Sequence, residues 1–263
     1  MKSDICSAVA TIVGHCCTYE GHIPDPLKVD KILNWPTPTN VSEVHRFLGT
    51  CGVLRVFIKD YSKLAQPLVR LTKHNVEWVW GEDEQGAMEV LKAAVVNSPT
   101  LQPIDYECGR MVIVAVDSLI IGVGFVVFQE GQDGKRYPAR FGSINWNKRE
   151  ARFLQPKIEL YGLLCALYKL KEILIGLALF IVVMDASFII GMINNPDLIP
   201  GAAANRWIAG ILLFDFDLVH VPAPDHMCPD GLSRRALGPG EKRNEEAEEV
   251  DQWIDEKYGF FYR

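Results

Sequence analysis

A mixed α/β domain, preceded by a mainly helical segment, is the fold class this sequence predicts, and three observations carry it. Apolar, β-branched runs near residues 110–117, 121–129 and 136–143 read as three consecutive strands, the last two joined by the turn EGQDGK. A helix-period segment near 156–175 then precedes another short apolar run, LFIVVMD at 179–185, and helical and extended stretches continue to alternate after it. The first hundred residues instead carry amphipathic helical segments interrupted by proline, with only brief extended runs.

The elements follow in order. VATIVGHCCTYEGHIP (9–24) reads as a strand, a turn at Glu20-Gly21 and a short return. DPLKVDKILNW (25–35) spaces Leu27, Ile32 and Leu33 along one helical face and stops at Pro36. Asn40 or Ser42 can cap one long helix through VSEVHRFLGTCGVLRVFIKDY, and a further helix runs through AQPLVRLTK. GEDEQ places negative charge at the start of the helix GAMEVLKAAVVNS, where the helix dipole favours it. Pro99 and Pro103 mark a boundary. Beyond the three strands and the helix come the strand 179–185, a helix through Ile193, a helix near 202–214, the strand DLVHVP (217–222) and the segment CPDGLSRR. The expected organisation is 1–105, 106–236 and a charged tail, 237–263.

Bulk properties narrow the function classes. The chain has 263 residues, 49% of them apolar, enough for a substantial core. Residues 1–10 lack a leader-like apolar block, and the run ILIGLALFIVVM (173–184) is too short to span a bilayer, so no membrane partner is expected. Seven cysteines without CxxC spacing suggest a reducing compartment and no zinc site. The net charge of −6 divides unevenly: −3 over 1–109, +1 over 110–235 and −4 over 236–263. The middle segment is therefore not excluded from binding phosphate.

Carboxylates supply the chemistry. Asp117 and Asp185 each end an apolar strand, and in open α/β sheets sites gather beyond the carboxyl ends of such strands. A lone Asp there is also a common turn initiator. Glu159 stacks at helical spacing with Gly162, Leu163, Ala166 and Leu170, which is the inward stripe of its helix. Its alternative reading is a Glu favoured by the dipole of the first turn. Asp230 either joins the group or caps a short helix. Acidic ligands without a His/Cys set suit hard cations, Mg²⁺ or Mn²⁺, and such clusters serve phosphodiester hydrolysis by two ions.

At these residues the chain resembles the ribonuclease H domain of Ty3/gypsy-type retrotransposon polyproteins, in a form similar to fungal elements. VAVDSLIIGVGFVV, QPKIELYGLLCAL, VVMDASFIIGM and CPDGLSRR match the family pattern, and NRWIAGILLFDFDLVHVP looks like its Arg-Trp helix and last strand. The resemblance implies a five-stranded RNase H-like sheet with Asp117, Glu159, Asp185 and Asp230 as ligands to two Mg²⁺. Upstream, residues 12–73 are similar to the end of the polymerase palm and the thumb/connection, and the tail resembles the linker toward integrase. The polymerase motif of an aromatic residue followed by paired aspartates is absent, and Ala186 stands where many relatives have His after the third carboxylate.

The implied activity is metal-dependent cleavage of the RNA strand of an RNA–DNA hybrid, in an intracellular setting, a cytoplasmic virus-like particle or the nucleus. Implied partners are the hybrid, the rest of the reverse transcriptase polyprotein and a second copy in a homodimer. His226, four residues before Asp230, is the candidate for the mobile histidine of cellular relatives, or a solvated loop residue. Arg140, Lys148, Arg149, Arg152 and Arg206 are candidate phosphate contacts, or solvated surface charge. Asn205 and Trp207 are candidates for shaping the hybrid groove, although Trp207 also reads as core. The competing class is a catalytically silent or host-recruited module that keeps the fold for protein or nucleic-acid binding.

Overall fold

The computed structural model describes residues 8–194 and 202–221. Asp230 and His226 lie outside the described residues. Three short strands open the chain: β1 (Ala10–Ile12), β2 (His15–Thr18) and β3 (Gly21–Pro24), paired antiparallel in that order. The first turn, at Val13-Gly14, has φ of 50° and 83°, the left-handed pair that a two-residue hairpin demands. This breaks the single strand expected before Glu20 into two.

Five helices follow: α1 (Pro26–Leu33), α2 (Val41–Val53), α3 (Tyr61–Leu64), α4 (Gln66–Leu71) and α5 (Glu82–Val96). Asp25 caps α1 by accepting from Leu27 N, and Asn40 caps α2 by accepting from Glu43 N. The long helix expected across 41–61 is broken. It ends at Leu54, passes through a 3-10 turn over Arg55–Phe57, and restarts after Asp60, which adopts a left-handed φ of 53°. Leu54, Phe57 and Ile58 all face inward across the break, and each is essentially fully buried.

The larger sheet has strands β4 (Val112–Leu119), β5 (Gly122–Glu130), β6 (Arg136–Asn145), β7 (Phe180–Met184) and β8 (Phe216–His220), in the order β6-β5-β4-β7-β8. β7 runs parallel to both β4 and β8, whereas the short connections from β4 to β5 and from β5 to β6 join antiparallel neighbours, so the sheet is mixed. Between the strands lie α6 (Gln155–Leu174), α7 (Phe188–Asn194) and α8 (Ala202–Ile211), with a 3-10 turn over Glu150–Arg152 before α6. The mixed α/β, five-stranded expectation therefore holds, with element bounds within a few residues.

The chain resolves into two compact units. Of the described residues, one comprises 8–110 together with 126–143, and the other comprises 111–125 together with 144–194 and 202–221. In the first, Phe47, Leu54, Phe57, Leu68, Met88 and Leu91 form a core that also takes in Val126 and Phe141 from β5 and β6. Arg55 donates from Nη2 to the Ser143 carbonyl at 2.7 Å, and Ser62 N donates to Ser143 Oγ at 2.9 Å. The helical segment and the far ends of two sheet strands thus share one interior. In the second unit, α6 packs on β4 and α8 packs on α6. Ile158, Leu163, Ala166, Leu167 and Leu170 are buried, as the helical stripe of α6 requires.

Candidate active site

β4 and β7 bring two of the expected carboxylates together. Their parallel register pairs Ile113 with Ile181, Val114 with Val182 and Ala115 with Val183. Continued two residues, the same offset sets Asp117 level with Asp185, on strands about 4.8 Å apart. β4 is buried from Val112 to Val116, and burial relaxes at Asp117, while Asp185, one residue past β7, is exposed. The carboxylates therefore stand where apolar strands leave the core, the carboxyl-end position at which open sheets build sites.

Glu159 completes the group from α6. It lies on the same helical stripe as buried Gly162, Leu163, Ala166 and Leu170. Because α6 starts at Gln155, Glu159 sits in the second turn, and the first turn holds no acidic residue. A first-turn dipole preference therefore does not explain its position. Burial pushes its carboxyl up to about 8, and the charges of Asp117 and, to a smaller degree, Asp185 push in the same direction. Gln155, which donates from Nε2 to Glu159 Oε1 at 2.6 Å, and Ser118 act in the opposite direction. No cation is among the groups acting on Glu159.

α6 reaches β4 this closely because of Gly162. A Cβ there would overlap Ser118 Oγ, so only glycine lets the helix lie against the strand at this point. Ser118 Oγ is itself buried and lacks a hydrogen bond of good geometry. Glu159 thus lies where the Ser118 hydroxyl and the charges of Asp117 and Asp185 all act on it.

The chemistry of the donors, carboxylate oxygens from Asp117, Glu159 and Asp185 with no His or Cys, is of the kind hard divalent cations take. Among the described residues, however, no group of three or more His, Cys, Asp or Glu side chains is placed to hold a metal ion.

The other expected site residues separate into groups. Lys148, Arg149 and Arg152 are exposed on and before the 3-10 turn that leads into α6, and Asn205 and Arg206 are exposed on α8. Arg140 lies on β6, half-buried, in the first unit. Trp207 is packed rather than presented to a groove. Its ring lies 4.9 Å from Tyr161 and 5.6 Å from Phe153, and Trp146 lies 5.5 Å from Tyr161. Tyr161 donates to Glu150 Oε1 at 3.0 Å, and Glu150 Oε2 accepts from Asn147 N, so the aromatic cluster anchors the basic turn.

Sequence reasoning missed Gln155 and Ser118. A signal for the first was present: Gln155 precedes Glu159 by four residues, the helical spacing at which side chains meet.

An RNase H-like fold carrying strand-end and helix-borne carboxylates is the class these features define, and comparison with known proteins agrees. Residues 80–182 match the RNase H-like domain found in reverse transcriptase. The Tf2-3 and Tf2-4 transposon polyproteins of Schizosaccharomyces pombe are each 27% identical over 234 residues, 89% of this chain and 17% of the polyprotein. The chain thus spans about a sixth of the length of these curated relatives. Among solved structures, the foamy viral protease-reverse transcriptase in complex with RNA/DNA hybrid superposes with a TM-score of 0.64 at 17% identity, covering 90% of this chain and 32% of that one. The same enzyme in complex with double-stranded DNA gives 0.62 at 20% identity, covering 82% and 45%. The chain has the RNase H-like fold and resembles the reverse-transcriptase part of Ty3/gypsy-type transposon polyproteins. No helix among the described residues is long and apolar enough to cross a membrane.

Proposed function

We propose that this chain is the ribonuclease H part of a retrotransposon reverse transcriptase and cleaves the RNA strand of RNA–DNA hybrids. The observation that carries the reading is the grouping of Asp117, Asp185 and Glu159. Two strand-end carboxylates share a register, and a helix-borne third is pushed toward neutrality by burial and, beyond that, by their charge. Like charges held together cost stability, so a purely structural domain gains nothing from them, whereas a cation-binding site requires them.

Asp117, Glu159 and Asp185, with Asp230 from the last expected motif, would hold Mg²⁺ or Mn²⁺. Two such ions supply an activated water and stabilise a leaving oxygen in phosphodiester hydrolysis. The chain's own part is to fix three carboxylates on stiff elements, so that their spacing is set before cation and substrate arrive. Lys148, Arg149, Arg152 and Arg206 supply phosphate contacts, with Asn205 beside them on α8, and discrimination of RNA rests on its 2′-hydroxyls. Arg140 is the remaining phosphate candidate, and His226 would assist release near Asp230. The parent polyprotein and the hybrid are the proposed partners, in a virus-like particle or the nucleus.

The test is cleavage of a labelled RNA–DNA hybrid in Mg²⁺, with double-stranded RNA as control. Wild type is expected to cut the hybrid only, and Asp117→Asn to abolish cutting. Unchanged cleavage by the variant sinks the assignment. A wild type that neither cuts hybrid nor gains thermal stability from Mg²⁺ or Mn²⁺ points instead to a silent binding module.

A further inference from the structure

We propose that Gln155 is a positioning residue for Glu159, holding its carboxylate toward Asp117 and Asp185 through a side-chain hydrogen bond. This inference rests on the nuclease reading and adds a residue to its machinery.

The geometry is specific. Gln155 opens α6 and Pro156 follows it, so the first turn is pre-set by the fixed φ of proline. From there the Gln155 side chain reaches one turn forward, and Nε2 meets Glu159 Oε1 at 2.6 Å. A bond at this distance is at the short end for an amide donor. The same Nε2 is 3.5 Å from the Ser118 carbonyl on β4, so the amide lies between helix and strand. Glu159 has few other restraints. Ser118 Oγ is near but makes no bond of good geometry, and Gly162, on the same helical face, offers no side chain. A glutamate has three rotatable bonds before its carboxyl, and one firm donor at one oxygen removes most of that freedom. It also leaves the second oxygen free of this bond. Groups that orient ligands in this way commonly change metal affinity by about 10–100-fold when removed.

The experiment uses the full chain and two variants. Gln155→Ala removes the side chain, and Gln155→Met keeps length and bulk but not the donor. Because Gln155 is exposed on the helix surface, both variants are expected to fold as wild type, checked by circular dichroism. Calorimetric titration with Mn²⁺ is expected to show binding weakened about tenfold in both variants alike. Hybrid cleavage in Mg²⁺ is expected to lose kcat by about tenfold with the hybrid KM unchanged.

Several results overturn the inference: wild-type Mn²⁺ affinity in Gln155→Met, a raised KM at unchanged kcat (a direct substrate contact), or a wild type that binds no Mn²⁺. The two readings fail separately. Weakened Mn²⁺ binding in the variants, with no hybrid cleavage by wild type, upholds the role of Gln155 and defeats the nuclease. Cleavage by wild type with both variants unaffected does the reverse.

Discussion

Two glutamates on two helices, one in each unit, meet the same problem and resolve it oppositely. Glu84, in the first turn of α5, is only 4% exposed. Burial pushes its carboxyl up, but hydrogen bonds from Arg70, at 2.9 Å, and from Gly81 N, at 3.1 Å, more than offset that, and its pKa lies below the usual carboxylate value. Glu159, in the second turn of α6, has carboxylates for neighbours and one neutral amide donor, and it is pushed up to about 8. The first unit buries a charge and compensates it with protein groups. The second sets Glu159 beside like charge, which a bound cation would offset under the proposed function. The two carboxyls are thus shifted in opposite directions although both are withdrawn from solvent.

Removing a site carboxylate should have the largest effect. Asp185→Asn is expected to lower hybrid cleavage at least ~100-fold, since a bound cation is worth several kcal/mol of transition-state stabilisation. Hybrid binding measured by fluorescence anisotropy should fall much less. Equal losses in both would show that Asp185 serves affinity rather than chemistry.

Next is Phe57→Ala, which empties the core shared by the helical segment with Val126 and Phe141. It is expected to cost ~3–5 kcal/mol in urea unfolding. A shorter chain starting at residue 106 would leave those two strand residues without their helical cover, and dye binding should report the exposed apolar surface.

The pH dependence of stability distinguishes the two glutamates directly. The folded-state pKa of Glu159 is raised, so its contribution is intact below about 4.5 and is lost as pH rises toward about 8. In a chelator, wild type should lose stability across that window, and Glu159→Gln should flatten the profile. Mn²⁺ should restore the wild type alone.

Glu84 has the opposite sign. Its folded pKa is lowered, so its contribution is present above the ordinary carboxylate value and disappears as pH falls through the folded one. Arg70→Ala should cost ~1 kcal/mol at pH 7, because the Arg70 side chain is 58% exposed and solvent screens the pair. That cost should vanish in acid. A penalty independent of pH would assign the loss to packing of the arginine stem.

Much of the molecule was legible from residue patterns. The five sheet strands, α6 and its inward stripe follow from periods of two and 3.6, because burial of one face is a local constraint. The cap Asn40 was readable for the same reason, since it satisfies a backbone N–H three residues away. Asp117 and Asp185 could be picked out because each follows an apolar run. Elsewhere the local pattern misled. The segment 41–61 has helical periodicity throughout, yet the helix ends at Leu54, passes through a 3-10 turn and restarts after the left-handed Asp60. Val13-Gly14 turns a strand into a hairpin where only the backbone conformation reveals it.

By itself, then, the sequence determined the class of fold, the strands and helices that carry the acidic residues, and the side of α6 on which Glu159 lies. Only the tertiary structure decided which strands are neighbours, that β4 and β7 run in a register bringing Asp117 level with Asp185, and that the interior around Phe57 extends to residues of β5 and β6. It also decided that Gln155, unremarkable in the chain, reaches Glu159. The reason is one of range. Periodicity reports what each residue needs from its own element, whereas charge repulsion, strand register and a 2.6 Å hydrogen bond depend on distances that exist only after remote segments have packed.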